Sequence, residues 1–200
     1  MKKIVNYIFI LIMLIGDTYL IIRDCGINNM SRMATYIVLI PLLFIPKLLR
    51  KLTKFHISDD LEFVYLLFIF LAQFLGSGVN LYKYIPWFDT FTHFISGILT
   101  SFVAIIFLHL FHQNPKKKIL FHVTYILGIV FLVAGIWEFF EFGMDQLTGS
   151  NLQHYIETGV KDTMCDMLAA FTGSILFIIF YLYEMLTERK RFITSFIDSL

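Results

Sequence analysis

Apolar residues fall into six long blocks separated by short polar loops, at about residues 4–22, 31–49, 61–80, 89–111, 119–143 and 162–184. Each block is long enough for a helix to cross the hydrocarbon core of a bilayer. The expected fold is therefore all-α, an integral membrane bundle of six transmembrane helices. The second block, "MATYIVLIPLLFIPKLL", contains Pro41 and Pro46. Each proline removes a backbone donor and should kink the helix, although neighbouring helices can satisfy the freed carbonyls. A re-entrant segment is the alternative there. The opening "MKKIVNYIFILIMLIG" has the basic start and apolar stretch of a signal peptide, but no small-residue cleavage site follows, so it reads as an uncleaved first span.

Composition agrees with the pattern. Across 200 residues, 58% are hydrophobic and 16% are charged, far more apolar than a soluble domain. The loops leave no room for a separate soluble domain, so residues 1–200 read as a single transmembrane domain. Charge then orients it, because cytoplasmic loops carry the excess of Lys and Arg. Twelve of the 16 basic residues lie at the N-terminus, in the second and fourth loops and in the tail. Arg23, Arg32, Lys83 and Lys161 lie on the other side. Six spans with both termini in the cytoplasm satisfy this split, and omitting the second span would scramble it. Residues 186–200 include a basic cluster followed by Phe192, Ile193, Phe196, Ile197 and Leu200 on one helical face, as an interfacial helix on an anionic leaflet would. A packing helix or a frayed end is the alternative.

With that topology, three spans carry polar residues to one level at the outer side. Asp89 and His93 lie at the start of the fourth span, Glu138, Glu141 and Asp145 at the end of the fifth, and Asp162 and Asp166 at the start of the sixth. Their spacings of three, four and seven residues place each set on one helical stripe. Gly97, Ala170 and Gly173 continue two of the stripes deeper, and Ala134 and Gly135 lie beside Glu138. Small residues let membrane helices approach closely.

Intramembrane charges cost roughly 2.5 to 3.5 kcal/mol each at a helix centre and mark function or a paired network. Six carboxylates here face one histidine and Lys161, so either some are protonated or a cation is bound. Asp89 and Asp162 taken alone also fit as helix caps. The three acids of the fifth span sit at a helix C-terminus, where the macrodipole disfavours negative charge. Asp89, His93, Glu138, Glu141, Asp162 and Asp166 are the candidate metal ligands, and an oxygen-rich set with one imidazole suits Mg2+, Mn2+, Ca2+ or Fe2+. Asp17 and Gln73 are candidates for a supporting shell, and His154 for closing over the site. Cys25 and Cys165 both fall toward the outer side, so a disulfide is conceivable, with two small buried thiols the better expectation. His56, His109, His112 and His122 belong to the cytoplasmic half.

The order of "FDTFTHFISG", "WEFFEFGMDQLTG" and "KDTMCDMLAAFTG" resembles the YjdF-like family of bacterial multi-pass inner-membrane proteins. In that family a D-x-x-x-H-x-x-x-G helix is followed by W/Y-E-x-x-E and then D-x-x-x-D-M-x-x-A. The likeness runs from the third span onward. It places Asp89, His93, Gly97, Glu138, Glu141, Asp162, Asp166 and Met167 at motif positions. Lys161 stands where the family often has Trp. More remotely, the motif order is similar to that of VanZ-like proteins. The resemblance implies a bacterial cytoplasmic-membrane location and a motif map, but no reaction.

Three functions are consistent with this pattern. One is a metal-dependent hydrolase or transferase acting on a lipid or lipid-linked envelope precursor, with His93, Asp89 and Asp166 as candidate catalytic residues. The second is a non-enzymatic protein whose cluster staples helices or binds a lipid headgroup or partner. The third is a cation or proton-coupled transporter, for which the inner halves of the spans offer no continuous polar path. Membrane lipid is the expected partner, and no nucleic acid is.

Overall fold

The computed structural model describes residues 2–27, 33–52, 57–111, 118–149, 151–187 and 193. These form helices α1 (Lys2–Gly26), α2 (Met33–Leu52), α3 (Asp59–Ile69), α4 (Leu81–Tyr84), α5 (Phe88–Leu110), α6 (Ile119–Thr148), α7 (Tyr155–Thr158) and α8 (Lys161–Thr187), with a π-helix at Phe70–Gly78 continuing α3. No strand occurs among the described residues. Five segments are long and apolar enough to cross a membrane: α1, α3 with its π-helix, α5, α6 and α8. α2 is not among the five, though it is a helix of 20 residues with Arg50 and Lys51 in its last turn. Most of the tail, and with it the amphipathic face expected there, lies outside the described residues, as do His56 and His112.

The chain divides into two compact units, Met1–Thr92 and His93–Leu200. In the first, α1 turns Asn6, Ile10, Met13, Asp17, Leu20 and Asp24 inward, each buried and three or four residues from the next. Ile10 and Met13 pack with Leu39 and Leu43 of α2 and Leu66 and Ile69 of α3. Polar groups tie the three helices together around this core. Tyr36 donates to Asp24 Oδ2 at 2.6 Å, and Arg23 Nε to Asp24 Oδ1 at 2.7 Å. Where α2 ends, Arg50 donates to Glu62 Oε2 at 2.8 Å and to the Ile57 carbonyl at 2.8 Å, while Asn6 reaches the Asp59 carbonyl at 2.9 Å.

The two prolines leave α2 a single helix across both positions. Pro46 has no N–H to give the carbonyl four residues earlier, that of Leu42. Tyr65 of α3 supplies the missing donor, its hydroxyl 2.9 Å from Leu42 O. Beyond Ile69 the third span departs from a plain α-helix. The Phe70 N–H is shared between the Leu66 and Leu67 carbonyls, and Val79 N donates to Phe74 O at 2.8 Å, five residues back.

In the second unit, α5 and α8 run parallel and touch backbone to backbone. A side chain on Gly97 would collide with the Ala170 carbonyl, and one on Gly173 with the Phe94 carbonyl. One turn further along both helices, Ser101 donates to Ser174 at 2.9 Å and to the Gly97 carbonyl at 2.7 Å. α6 runs the other way. Ala134 packs with Ala170, and His122, three turns earlier on α6, bonds Tyr181, three turns later on α8, at 2.9 Å. Gly135 meets nothing within 4 Å of a notional side chain, so only Ala134 of that pair serves the close packing.

These contacts generate three expectations. Gly97→Ala or Gly173→Ala forces backbone apart and should cost about 1–3 kcal/mol or more in denaturant or thermal unfolding in detergent. Gly128→Ala, at a helical position facing open space, should instead be neutral or stabilise by up to about 1 kcal/mol. Tyr65→Phe removes only the hydroxyl that satisfies Leu42 and should destabilise by about 1–3 kcal/mol in the same measurement.

Candidate functional site

Three polar side chains are buried at one level of the second unit. His93 is 9% exposed, Asp166 2% and Glu138 5%. The parallel register of α5 and α8 explains the first pair. Gly97 meets Ala170, so one turn back on both helices His93 faces Asp166, with Nε2 4.0 Å from Oδ2. The antiparallel register of α6 explains the third. Ala134 packs on Ala170, so one turn forward on α6 and one turn back on α8 puts Glu138 level with Asp166.

Glu138 differs from the other buried acids. Both of its carboxylate oxygens are shut off from solvent and have no hydrogen-bond partner. The Gln153 amide and the Thr163 hydroxyl are its neighbouring donors, close to it but outside good hydrogen-bond geometry, and they also bond each other and the backbone. Gln153 donates from Nε2 to the Glu138 backbone carbonyl at 3.4 Å and to Thr163 Oγ1 at 3.2 Å. A buried carboxylate whose oxygens make no well-formed hydrogen bond is costly, so a native structure that keeps one requires a reason.

The remaining expected residues divide. Asp162 is the second residue of α8, one turn before Asp166, and a carboxylate oxygen of it lies within 4.8 Å of a ring nitrogen of His154. His154 holds this place with a left-handed backbone, φ 48°. Asp89 is likewise the second residue of α5 and stands one turn before His93 on that helix. As second residues, Asp89 and Asp162 both lie inside the first turn rather than at the capping position, where the helix dipole still favours them.

The stripe expected on α6 separates into three environments. Only Glu138 is buried. Glu141 is half-buried and accepts from Trp137 Nε1 at 2.8 Å. Asp145 accepts from the backbone of Leu152 at 2.7 Å and of Gln153 at 3.1 Å, and so folds the following loop back onto its helix. Spacing along a helix fixes direction but not what each side chain meets. Gln153 and Thr163 were not candidates from sequence; their signal was only that polar residues flank the acidic motifs. Met167 packs against the Ala134–Ala170 contact, and Lys161 is exposed.

One expectation is corrected, that of the cysteines. Cys25 and Cys165 are both free thiols and both exposed, so neither a disulfide nor a buried pair forms. Cys165 precedes the buried Asp166 by one residue, which turns it to the opposite side of α8. Gln73 donates to the Thr35 carbonyl at 3.3 Å, inside the first unit, so its amide supports α2. Asp17 is buried in that same unit. His109 is exposed, whereas His122 is buried against Tyr181.

Long apolar helices with buried acids and a histidine define a multi-span helical membrane protein. The family model described as "Predicted membrane protein (DUF2238)" matches residues 5–186, and the chain belongs to that family. This is the YjdF-like family whose motif order the sequence resembles, and the match extends the likeness over almost the whole chain. It does not bring in the VanZ-like proteins. No curated protein and no solved structure matches.

Asp145→Ala should free the loop without disturbing the buried level. Hydrogen–deuterium exchange should quicken at the Leu152 and Gln153 amides and stay unchanged around Ala134 and Ala170. Unaltered exchange at those two amides would contradict the anchoring role.

Proposed function

We propose that the second unit binds a divalent cation at the level of His93, Glu138 and Asp166, and that the protein is a metal-dependent hydrolase or transferase acting on a lipid or lipid-linked envelope precursor. The observation that carries this reading is the Glu138 carboxylate, whose two oxygens are buried and unpartnered. His93 and Asp166 bring ligand atoms within 4.8 Å of one another, and a cation between them would draw on Glu138, which is level with Asp166 but outside that convergent set. Asp162, one turn before Asp166 on α8, extends the acidic face of the second unit by one level and joins the ligand set. Glu141 is the weakest member of that set, because Trp137 already engages one of its oxygens. Oxygen ligands favour Mg2+, Mn2+, Ca2+ or Fe2+ over a structural zinc.

Six crossings with both ends in the cytoplasm fit the Lys and Arg distribution and place this level at the extracytoplasmic headgroup zone of a bacterial cytoplasmic membrane. There a bound metal would polarise a phosphoryl or acyl oxygen or activate water, and His93, where it is not a ligand, is the base in position to take the proton. The second reading is that the cluster staples α5, α6 and α8. Its support is the burial itself, since side chains at most 9% exposed offer a substrate little access. Transport is less well supported. Between the Ser101–Ser174 pair and the His122–Tyr181 pair the interior is lined by Ala104, Ile105, Ile126, Phe177 and Ile178.

Elemental analysis of the purified protein should find a retained divalent ion, with less in folded His93→Ala and Asp166→Ala variants. Full retention in both would overturn the metal assignment. An Asp89→Ala variant that folds but no longer turns over lipid favours the enzyme, and one that fails to fold favours the staple.

A further inference from the structure

The first unit holds a buried acid with an unpartnered oxygen and no ion pair among the described residues, unlike Glu62, whose Oε1 is also unpartnered but whose Oε2 meets Arg50. Asp17 lies within the apolar span of α1, 2% exposed, and its Oδ1 is closed to solvent with no hydrogen-bond partner. On its own helix it stands between Met13 and Leu20, both buried. Several polar groups of α2, α3 and the π-helix in the same unit bond other partners. Tyr36 of α2 bonds Asp24, Tyr65 of α3 bonds the Leu42 carbonyl, and Gln73 of the π-helix bonds the Thr35 carbonyl. The basic residues of α2 are engaged too, Arg50 with Glu62 and Lys47 over the Tyr7 ring at 4.0 Å. No ion pair involves Asp17 among the described residues.

A second, independent feature lies beside it. α1 packs at this level on the π-helix, where a side chain on Gly16 would strike the Phe74 ring and one on Gly78 would come within 3.7 Å of Leu20. π-helical turns break the regular ladder of a span and are frequent at functional sites. In membrane proteins, irregular helical backbone beside an acid is a recurrent way of holding a small cation, because carbonyl dipoles and one carboxylate together replace its hydration. Gly16 brings the π-helix close to α1 one residue before the acid.

We propose that Asp17 is a binding site for a monovalent cation, a proton or a sodium-sized ion, held between α1 and the π-helix and separate from the His93 level. The site stands or falls independently of the divalent-metal reading, since it uses no residue of the second unit.

The test is modification of the purified full-length protein in detergent by dicyclohexylcarbodiimide, an apolar reagent that forms an adduct with protonated carboxyls in membrane interiors. The adduct is read by mass spectrometry on the peptide containing Asp17. In choline buffer the adduct should form at Asp17 and be lost completely in Asp17→Asn. Replacing choline by sodium at constant pH should suppress it severalfold where the occupant is an alkali ion and leave it unchanged where the occupant is a proton. Either result supports the site. Absence of the adduct from acid to alkaline pH, in protein that remains monodisperse and folded, overturns it.

Discussion

The close crossing of α5 and α8 is the constraint on which the second unit depends. Gly97 against the Ala170 carbonyl and Gly173 against the Phe94 carbonyl leave no space for any side chain. They therefore fix one register between two parallel helices. That register puts His93 opposite Asp166 on one side of the crossing and Ser101 opposite Ser174 on the other. A shift of one residue would rotate either helix by about 100° and turn these polar groups out of the interior. Ala170 also receives Ala134, so the same point of contact sets the height of Glu138 on α6.

Away from that crossing the chain obeys the rule that polar groups in a membrane interior must find partners within the protein. Asp24 has Tyr36 and Arg23, Glu62 has Arg50 on one oxygen, and Ser101 has Ser174. These are structural solutions, and they make the exceptions informative. Glu138 and Asp17 are also buried, yet Glu138 lacks partners on both oxygens and Asp17 on Oδ1, and neither has the arginine that Glu62, itself unpartnered on Oε1, keeps on its other oxygen. Each belongs to a different unit and a different helix environment, which is why they are read as two sites of different chemistry.

The helical class, five of the six expected spans and the small-residue stripe at Gly97, Ala170 and Gly173 were legible in the sequence, because apolar length and residue size are local properties. The sequence put His93 and Asp166 within one wider cluster of six residues on three helices, and the structure sets these two 4.0 Å apart. Other features depended on packing that no spacing reveals. Glu138, Glu141 and Asp145 share one helix end, but burial, an indole and a loop backbone give each a separate environment. The Arg50–Glu62 pair lies between residues that read singly as loop-facing charges. The π-helix escaped because Phe70–Gly78 is as apolar as any α-helical span, and its winding is set by how it packs.

Pro46 and Tyr65 carry a consequence for how such a chain changes over generations. The proline exposes the Leu42 carbonyl, and the tyrosine on another helix answers it. A replacement of Tyr65 is harmful only while Pro46 is present, and once Pro46 gives way to a residue with an N–H the hydroxyl becomes dispensable. The two positions are therefore bound by epistasis, and related chains should gain or lose them as a pair.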